Sequence, residues 1–284
     1  MNTILVPTDF SKYATNALTY AVKFAEKTNS KIILLHAYQI ELYSPDLPVE
    51  YFAQINALAK GNSEKQLISL ISKVKKASKI KIDHISMEYP TVNSILETVA
   101  RKKIDLVIMG TKGASGIKEI FIGSVAGEII EKAKCPVLTI PLKASFTGLK
   151  RITYASDYHS SDIIILKKLV EIAKIFKSKL NVLHVAVREF TVDSEKEILN
   201  TFIRKVDRKV KYKKLSFQIL YGKEEEREIE KYIKSKTTDL LSISTRNRTL
   251  LEKLLSKSIT KTLSYHTKIP LLAFHYKKTS VVFI

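Results

Sequence analysis

The chain holds a single cysteine, Cys135, in 284 residues. No disulfide framework can form within it, which fits a reducing, cytoplasmic compartment. Long apolar runs are missing too. No window keeps about 18 apolar residues without interruption, so no membrane-crossing helix is expected. The opening MNTILVPTDF lacks a basic stretch followed by an apolar one, so no secretory signal is expected there. Two phosphate-binding patterns are also absent. There is no G-x-x-x-x-G-K-[ST] loop, and no G-x-G-x-x-G follows the first apolar run. That excludes a P-loop NTPase and a standard dinucleotide binder. Acidic residues are few: 28 against 48 basic ones, a net charge of +20. Residues 1–143 carry 19 basic and 13 acidic side chains, and the remainder carries 29 and 15. The second half is therefore the basic one. Such a field attracts nucleic acid, anionic lipid or phosphorylated metabolites. The lysines are spread along helices and no RNA- or DNA-reading motif accompanies them. A solvated basic surface is the expectation, with neither nucleic acid nor membrane as partner.

What is present is a repeat. Hydrophobic residues make up 45% and charged residues 27%, enough for a packed core. TILVPTDF (3–10) matches RITYASDY (151–158), and KIILLHA (31–37) matches KLNVLHV (179–185), both at an offset of 148. DLVIMGTKG (105–113) matches DLLSISTRN (239–247), and CPVLTIP (135–141) matches IPLLAFH (269–275), at an offset of 134. Asp9 thus pairs with Asp157, and His36 with His184. The reading is two domains, 1–143 and 149–284, joined by a polar stretch near Lys143–Gly148.

Each half alternates short apolar runs with helical spacing. In the first, Ile4–Val6, Ile32–Leu35, Ile80–Glu88, Leu106–Met109 and Val137–Ile140 read as strands. Ser11 is a plausible helix cap before Ala14, Ala17, Leu18, Ala21 and Ala25. Residues 50–77 read as a long helix with a weak point at Gly61-Asn62. Residues 92–99 and 124–134 read as further helices. Apolar strands between amphipathic helices predict a doubly wound α/β domain with a five-stranded parallel sheet, twice over.

Chemistry concentrates in Gly110-Thr-Lys-Gly113, followed after nine residues by Gly123-Ser124. The segment runs from a strand end to a helix start. Glycine at 110 and 113 is expected to allow positive φ and close approach of N–H groups to a ligand. The first amides of the helix that continues through Val125 suit phosphate oxygens. Ser124 is expected either to cap that helix or to donate its hydroxyl to a phosphate. An ordinary turn and helix cap would use the same residues, so the spacing alone leaves both readings open. Ligands of open α/β sheets sit at the carboxyl ends of strands. Pro7-Thr8-Asp9 would face the glycines there if the first and fourth strands are neighbours. Asp9 would then accept from a ribose hydroxyl or help hold Mg²⁺, or merely cap the next helix. Ala37, following the second strand, would offer backbone groups to a base.

VPTDFS at the strand end, the spacing G-x2-G-x9-G-[ST] and the tail CPVLTIP together resemble the universal stress protein family, in tandem over the whole chain. The resemblance implies a Rossmann-like fold of the adenine-nucleotide alpha-hydrolase type, with strand order 3-2-1-4-5. It also implies ATP binding in members that keep the glycines, with ADP or AMP as variants. Carried over, Pro7, Thr8 and Asp9 would line the adenosine pocket, and Ala37 would meet adenine. Met109, Gly110, Gly113, Gly123, Ser124 and Val125 would surround ribose and phosphates.

The second half departs from this pattern. Gly110, Gly113 and Gly123 become Ser244, Asn247 and Lys257, while Ser258 and Asp157 match. No ATP site of the same kind is expected there. Two readings remain: a structural domain serving as a built-in dimer partner through the last strands, or a site where Arg246, Arg248 and Lys257 attract a smaller anion. His36 and His184 are expected to share a packing or hydrogen-bonding role. Cys135 is expected to be buried and inert. Tyr212 among Lys209, Lys211, Lys213 and Lys214 looks like an RNA patch but reads more simply as a solvated helix end. Three function classes follow. The first is a nucleotide-binding stress or regulatory protein, with a homodimer left open. The second is a slow ATPase or phosphotransferase, against which no nucleophile–base pair accompanies the loop. The third is an anion or nucleic-acid binder through the basic half.

Overall fold

The computed structural model describes residues 1–40, 49–113, 122–186, 192–235, 238–247 and 268–275. The chain divides into two compact units, the first ending at Phe146 and the second starting at Thr147.

The first unit runs β1 (Thr3–Pro7), α1 (Lys12–Thr28), β2 (Lys31–Tyr38), α2 (Val49–Ala77), β3 (Ile82–Glu88), α3 (Thr91–Arg101), β4 (Leu106–Gly110), α4 (Ser124–Lys132) and β5 (Val137–Ile140). Its strands lie in the order β3-β2-β1-β4-β5, every pairing parallel. The central strands β1 and β4 are buried at every residue. This is why they read as unbroken apolar runs rather than alternating ones. The second unit runs β6 (Arg151–Ala155), α5 (Asp162–Phe176), β7 (Lys179–Ala186), α6 (Val192–Lys209), β8 (Leu215–Tyr221), α7 (Glu225–Ser235), β9 (Leu240–Ser244) and β10 (Leu271–Phe274). Its order is β8-β7-β6-β9-β10, again all parallel. Both units therefore show the 3-2-1-4-5 arrangement. Among the described residues no helix is long and apolar enough to cross a membrane.

Local chemistry sets the ends of α1. The Ser11 side chain accepts from the Ala14 amide at 3.2 Å. Asn29 closes the helix in the left-handed region at φ 51°, a conformation that asparagine tolerates better than most residues. Small residues, Ala14, Ala17 and Ala21, face inward and let the helix lie close on the sheet. The helix α2 runs unbroken through Gly61-Asn62. A Cβ at Gly61 would meet nothing within 4 Å, so this glycine weakens the helix by about 1 kcal/mol without ending it.

One device appears in both units. Asp105, just before β4, accepts from the amides of Asn2 and Thr3 at 2.6 and 3.0 Å. Asp239, just before β9, accepts from those of Lys150 and Arg151 at 2.7 and 2.8 Å. Each carboxylate ties the start of a unit's first strand to its fourth. The matched sequences contain both aspartates, but their task is visible only in the fold.

Candidate functional site

At the carboxyl ends of β1 and β4 the first unit holds a cavity of about 260 Å³. All ten residues singled out from the sequence line it. Pro7, Thr8 and Asp9 come from the end of β1, and Met109 and Gly110 from the end of β4. Gly113 follows β4, while Gly123, Ser124 and Val125 open α4. Ala37 borders it from within β2, paired with Met87, rather than from a loop after the strand.

The turn after β1 is held by its own side chains. Thr8 Oγ1 accepts from the Phe10 amide and Asp9 Oδ1 from the Ser11 amide, both at 3.0 Å. Phe10 takes a positive φ of 62°. Its ring lies 4.4 Å from that of His36. Asp9 therefore steadies the approach to α1, while Ser11 caps it. The other oxygen, Asp9 Oδ2, stands 2.9 Å from where a Cβ on Gly113 would be.

The glycines act differently from expectation. Neither Gly110 nor Gly113 has positive φ; among the described glycines only Gly148 does, at 98°. What they supply is room. A Cβ on Gly110 would stand 3.0 Å from the Tyr13 carbonyl carbon and oxygen, so its bareness serves the close packing of α1 on β4. Gly113 keeps space beside Asp9. Gly123, with φ −68° and ψ 163°, is the N-cap of α4, and Ser124 is the first helical residue rather than the cap. The Gly123 amide donates to Thr111 O at 2.7 Å, and the Gly127 amide begins the helical ladder on Gly123 O at 2.9 Å. The amides of Ser124, Val125 and Ala126 thus precede the ladder, at the positive end of the helix dipole.

Sequence reasoning missed part of the lining. Ala14, Thr91, Ile95, Thr111 and Lys112 also border the cavity. Lys112 is the one cation among the described lining residues, and burial pulls its ammonium below the ordinary lysine value. Thr91 and Ile95 open α3, and no spacing rule linked them to the glycine segment.

The comparisons with known proteins bear on the family and the fold. The model of the Universal stress protein family matches residues 1–141 and again 148–275. The chain belongs to the universal stress protein family. A universal stress protein of Methanocaldococcus jannaschii is 32% identical over 141 residues, covering 48% of this chain and 80% of that protein. A second from the same organism is 29% identical over 159 residues, covering 50% and 96%. The crystal structure of a universal stress protein from Archaeoglobus fulgidus aligns with a TM-score of 0.68 at 17% identity, covering 96% of this chain and 98% of that one.

In the second universal stress protein unit the corresponding strand end is tied to its own loop. Asp157, the counterpart of Asp9, accepts from Arg246 at 2.7 Å and from Asn247 Nδ2 at 3.0 Å. Asn247 also donates to Glu225 at 3.0 Å. Side chains at the positions of Lys112 and Gly113 thus occupy the carboxylate that the first unit leaves beside a cavity. Asp162, where the first unit has Ala14, is buried and accepts from Ser156 at 2.6 Å. Burial raises its carboxyl above the ordinary value, an effect partly offset by that bond. Arg246 therefore takes part in an ion pair within its own unit. Arg248, Lys257 and Ser258 lie outside the described residues.

The two histidines occupy matching strand positions with different partners. His36 Nδ1 lies 2.7 Å from Ser63 Oγ, which lies 2.6 Å from Ser86 Oγ. His184 Nδ1 donates to Ser156 O at 2.8 Å. Its ring lies 4.5 Å from that of Tyr158, the counterpart of Phe10, which also has positive φ at 57°. Burial lowers the His36 pKa below the ordinary 6.5, with Asp9 opposing the shift. Unfolding then lets this ring bind a proton more readily, so its contribution is full above about pH 6.5 and falls as pH drops toward the folded value. Urea titrations at neutral and mildly acid pH should show part of the acid loss removed in His36→Gln. Equal acid losses in both proteins would refute that assignment.

Proposed function

We propose that the first unit is a nucleotide-sensing module that binds ATP in the cavity at the ends of β1 and β4, in a regulatory or stress-response role. One observation carries this reading. A strand-end carboxylate, a glycine-spaced turn and three helix-start amides border a single cavity, which suits ribose, a close backbone approach and phosphates in turn. The cavity lies just under the usual range for small-molecule sites, about 300 Å³ and upward. Ala37 and Met109 would take the base edge and face. Asp9 would accept from a ribose hydroxyl, and the Ser124–Ala126 amides would meet the phosphates. The family resemblance supports the same placement.

Mg²⁺ typically binds one or two carboxylates together with phosphate oxygens and waters. Asp9 supplies one such carboxylate, so the ion would arrive with the nucleotide. Its charge would be shared between Asp9 and the phosphates.

Lys112 sets the preference for charge. Lys112→Met should weaken ATP binding by about tenfold, or 1.4 kcal/mol, and leave adenosine binding unchanged. Calorimetric titration with both ligands reads this directly. Equal weakening of both would place Lys112 away from the phosphates. Mass analysis of ligand carried through purification tests the wider reading: adenine nucleotide should accompany the wild-type protein. Protein that carries none, and binds none when ATP is added, would overturn it.

A further inference from the structure

The basic excess of the second half was read from the sequence as diffuse, and in the fold part of it converges. The C-terminal end of α5 brings Lys174 and Lys177 to one rim of an open groove of about 920 Å³. The segment after α6 brings Lys211, Lys213 and Lys214 to the same groove, with Asp207 as its single acidic lining residue. Helix C-termini carry partial negative charge, which accounts for some of these lysines. Lys211 Nζ donates to Asp207 O at 2.5 Å, and Lys214 Nζ to Lys177 O at 3.0 Å. Lys174, Lys177 and Lys213 form no ion pair among the described residues and are exposed.

Aromatic rings sit between these charges. Tyr212 and Phe217 line the groove half-buried. The Tyr212 hydroxyl donates to Ala173 O at 3.1 Å and also to Ser178 O, which fixes the ring against the end of α5. The groove is wider than the first unit's cavity, open, and free of a glycine turn. A held tyrosine ring and a second aromatic residue within a basic groove suit a phosphodiester chain whose bases stack and whose backbone is neutralised by ammonium groups. A mononucleotide would instead need the converging amides found at α4.

We propose that this groove of the second unit binds single-stranded nucleic acid without sequence preference. The proposal is independent of the ATP reading, because its residues all lie in the other unit.

The test is fluorescence anisotropy of a labelled oligouridylate with the full chain, over a salt series around 0.15 M ionic strength. Binding should weaken with salt at a slope near −2, about 0.7 for each of three phosphate contacts. The variant Lys174→Glu, Lys177→Glu, Lys213→Glu should lose at least about tenfold in affinity and flatten that slope. A control of equal charge change on α2, Lys65→Glu, Lys73→Glu, Lys76→Glu, should bind like wild type, and saturating ATP should not compete. No binding by wild type, equal loss in the control, or displacement by ATP would overturn the proposal. So would binding to vesicles of anionic lipid by a protein that ignores the oligonucleotide.

Discussion

Gly113→Val is expected to lower ATP affinity by about 100-fold or more, equivalent to roughly 2.7 kcal/mol, while the first unit stays folded. The backbone at 113 is not in the left-handed region, so valine meets no conformational penalty there. Its Cβ, however, would stand 2.9 Å from Asp9 Oδ2. The carboxylate can yield only by giving up its bond to the Ser11 amide or by turning away from the cavity. The branched methyls would add bulk where the ligand is proposed to lie. Titration calorimetry reads the affinity, and a urea melt confirms folding. Unchanged affinity in a folded variant would remove this cavity as the nucleotide site.

Gly110→Ala should have the opposite signature. Here the added Cβ meets the Tyr13 backbone at 3.0 Å and its Cβ at 3.1 Å. Backbone at the start of a helix cannot swing aside as a carboxylate can. The strand below is buried along its whole length. Either α1 lifts from the sheet or β4 shifts, and overpacking of this kind typically costs about 1–3 kcal/mol. The urea midpoint of the first unit should fall accordingly. Saturating ATP should recover part of the loss, since ligand at 100 times its Kd contributes about 2.7 kcal/mol. A midpoint equal to wild type would show that α1 gives way freely. Together the two variants separate a glycine needed for packing from one needed beside the ligand.

Most of the architecture was legible because the central strands advertise themselves. Ile4–Val6 and Leu106–Met109 are apolar without interruption, and burial on both faces requires that. The repeat doubled the signal, since two independent copies of strand, turn and strand appeared in the same order. Ten of the residues lining the cavity were legible for a different reason: strand ends and helix starts are where backbone groups lack partners. The finer chemistry was not legible. Nothing in the letters separates a glycine that turns the chain from one that lets a helix approach, because both need only the absence of a side chain. Ala37 was placed one element late because the sequence marks the apolar part of β2, not its half-exposed end. Lys112 carried no signal in the spacing, and only the fold shows that it lines the cavity. Arg246 looked available, and only the fold shows Asp157 beside it.

The aspartate before each fourth strand has a bearing on how these units come into being. Asp105 captures amides 102 and 103 positions earlier in the chain. A growing polypeptide that ends before it has β1 open along one side and its first amides unheld. Pairing with β2 is available early, but β1 gains its second neighbour only when a segment made much later arrives. Such distant pairings are slow to form, and an open strand side invites the wrong neighbour. During synthesis the first unit therefore passes through a stage in which its central strand is temporarily an edge, and the arrival of β4 behind Asp105 ends that exposure.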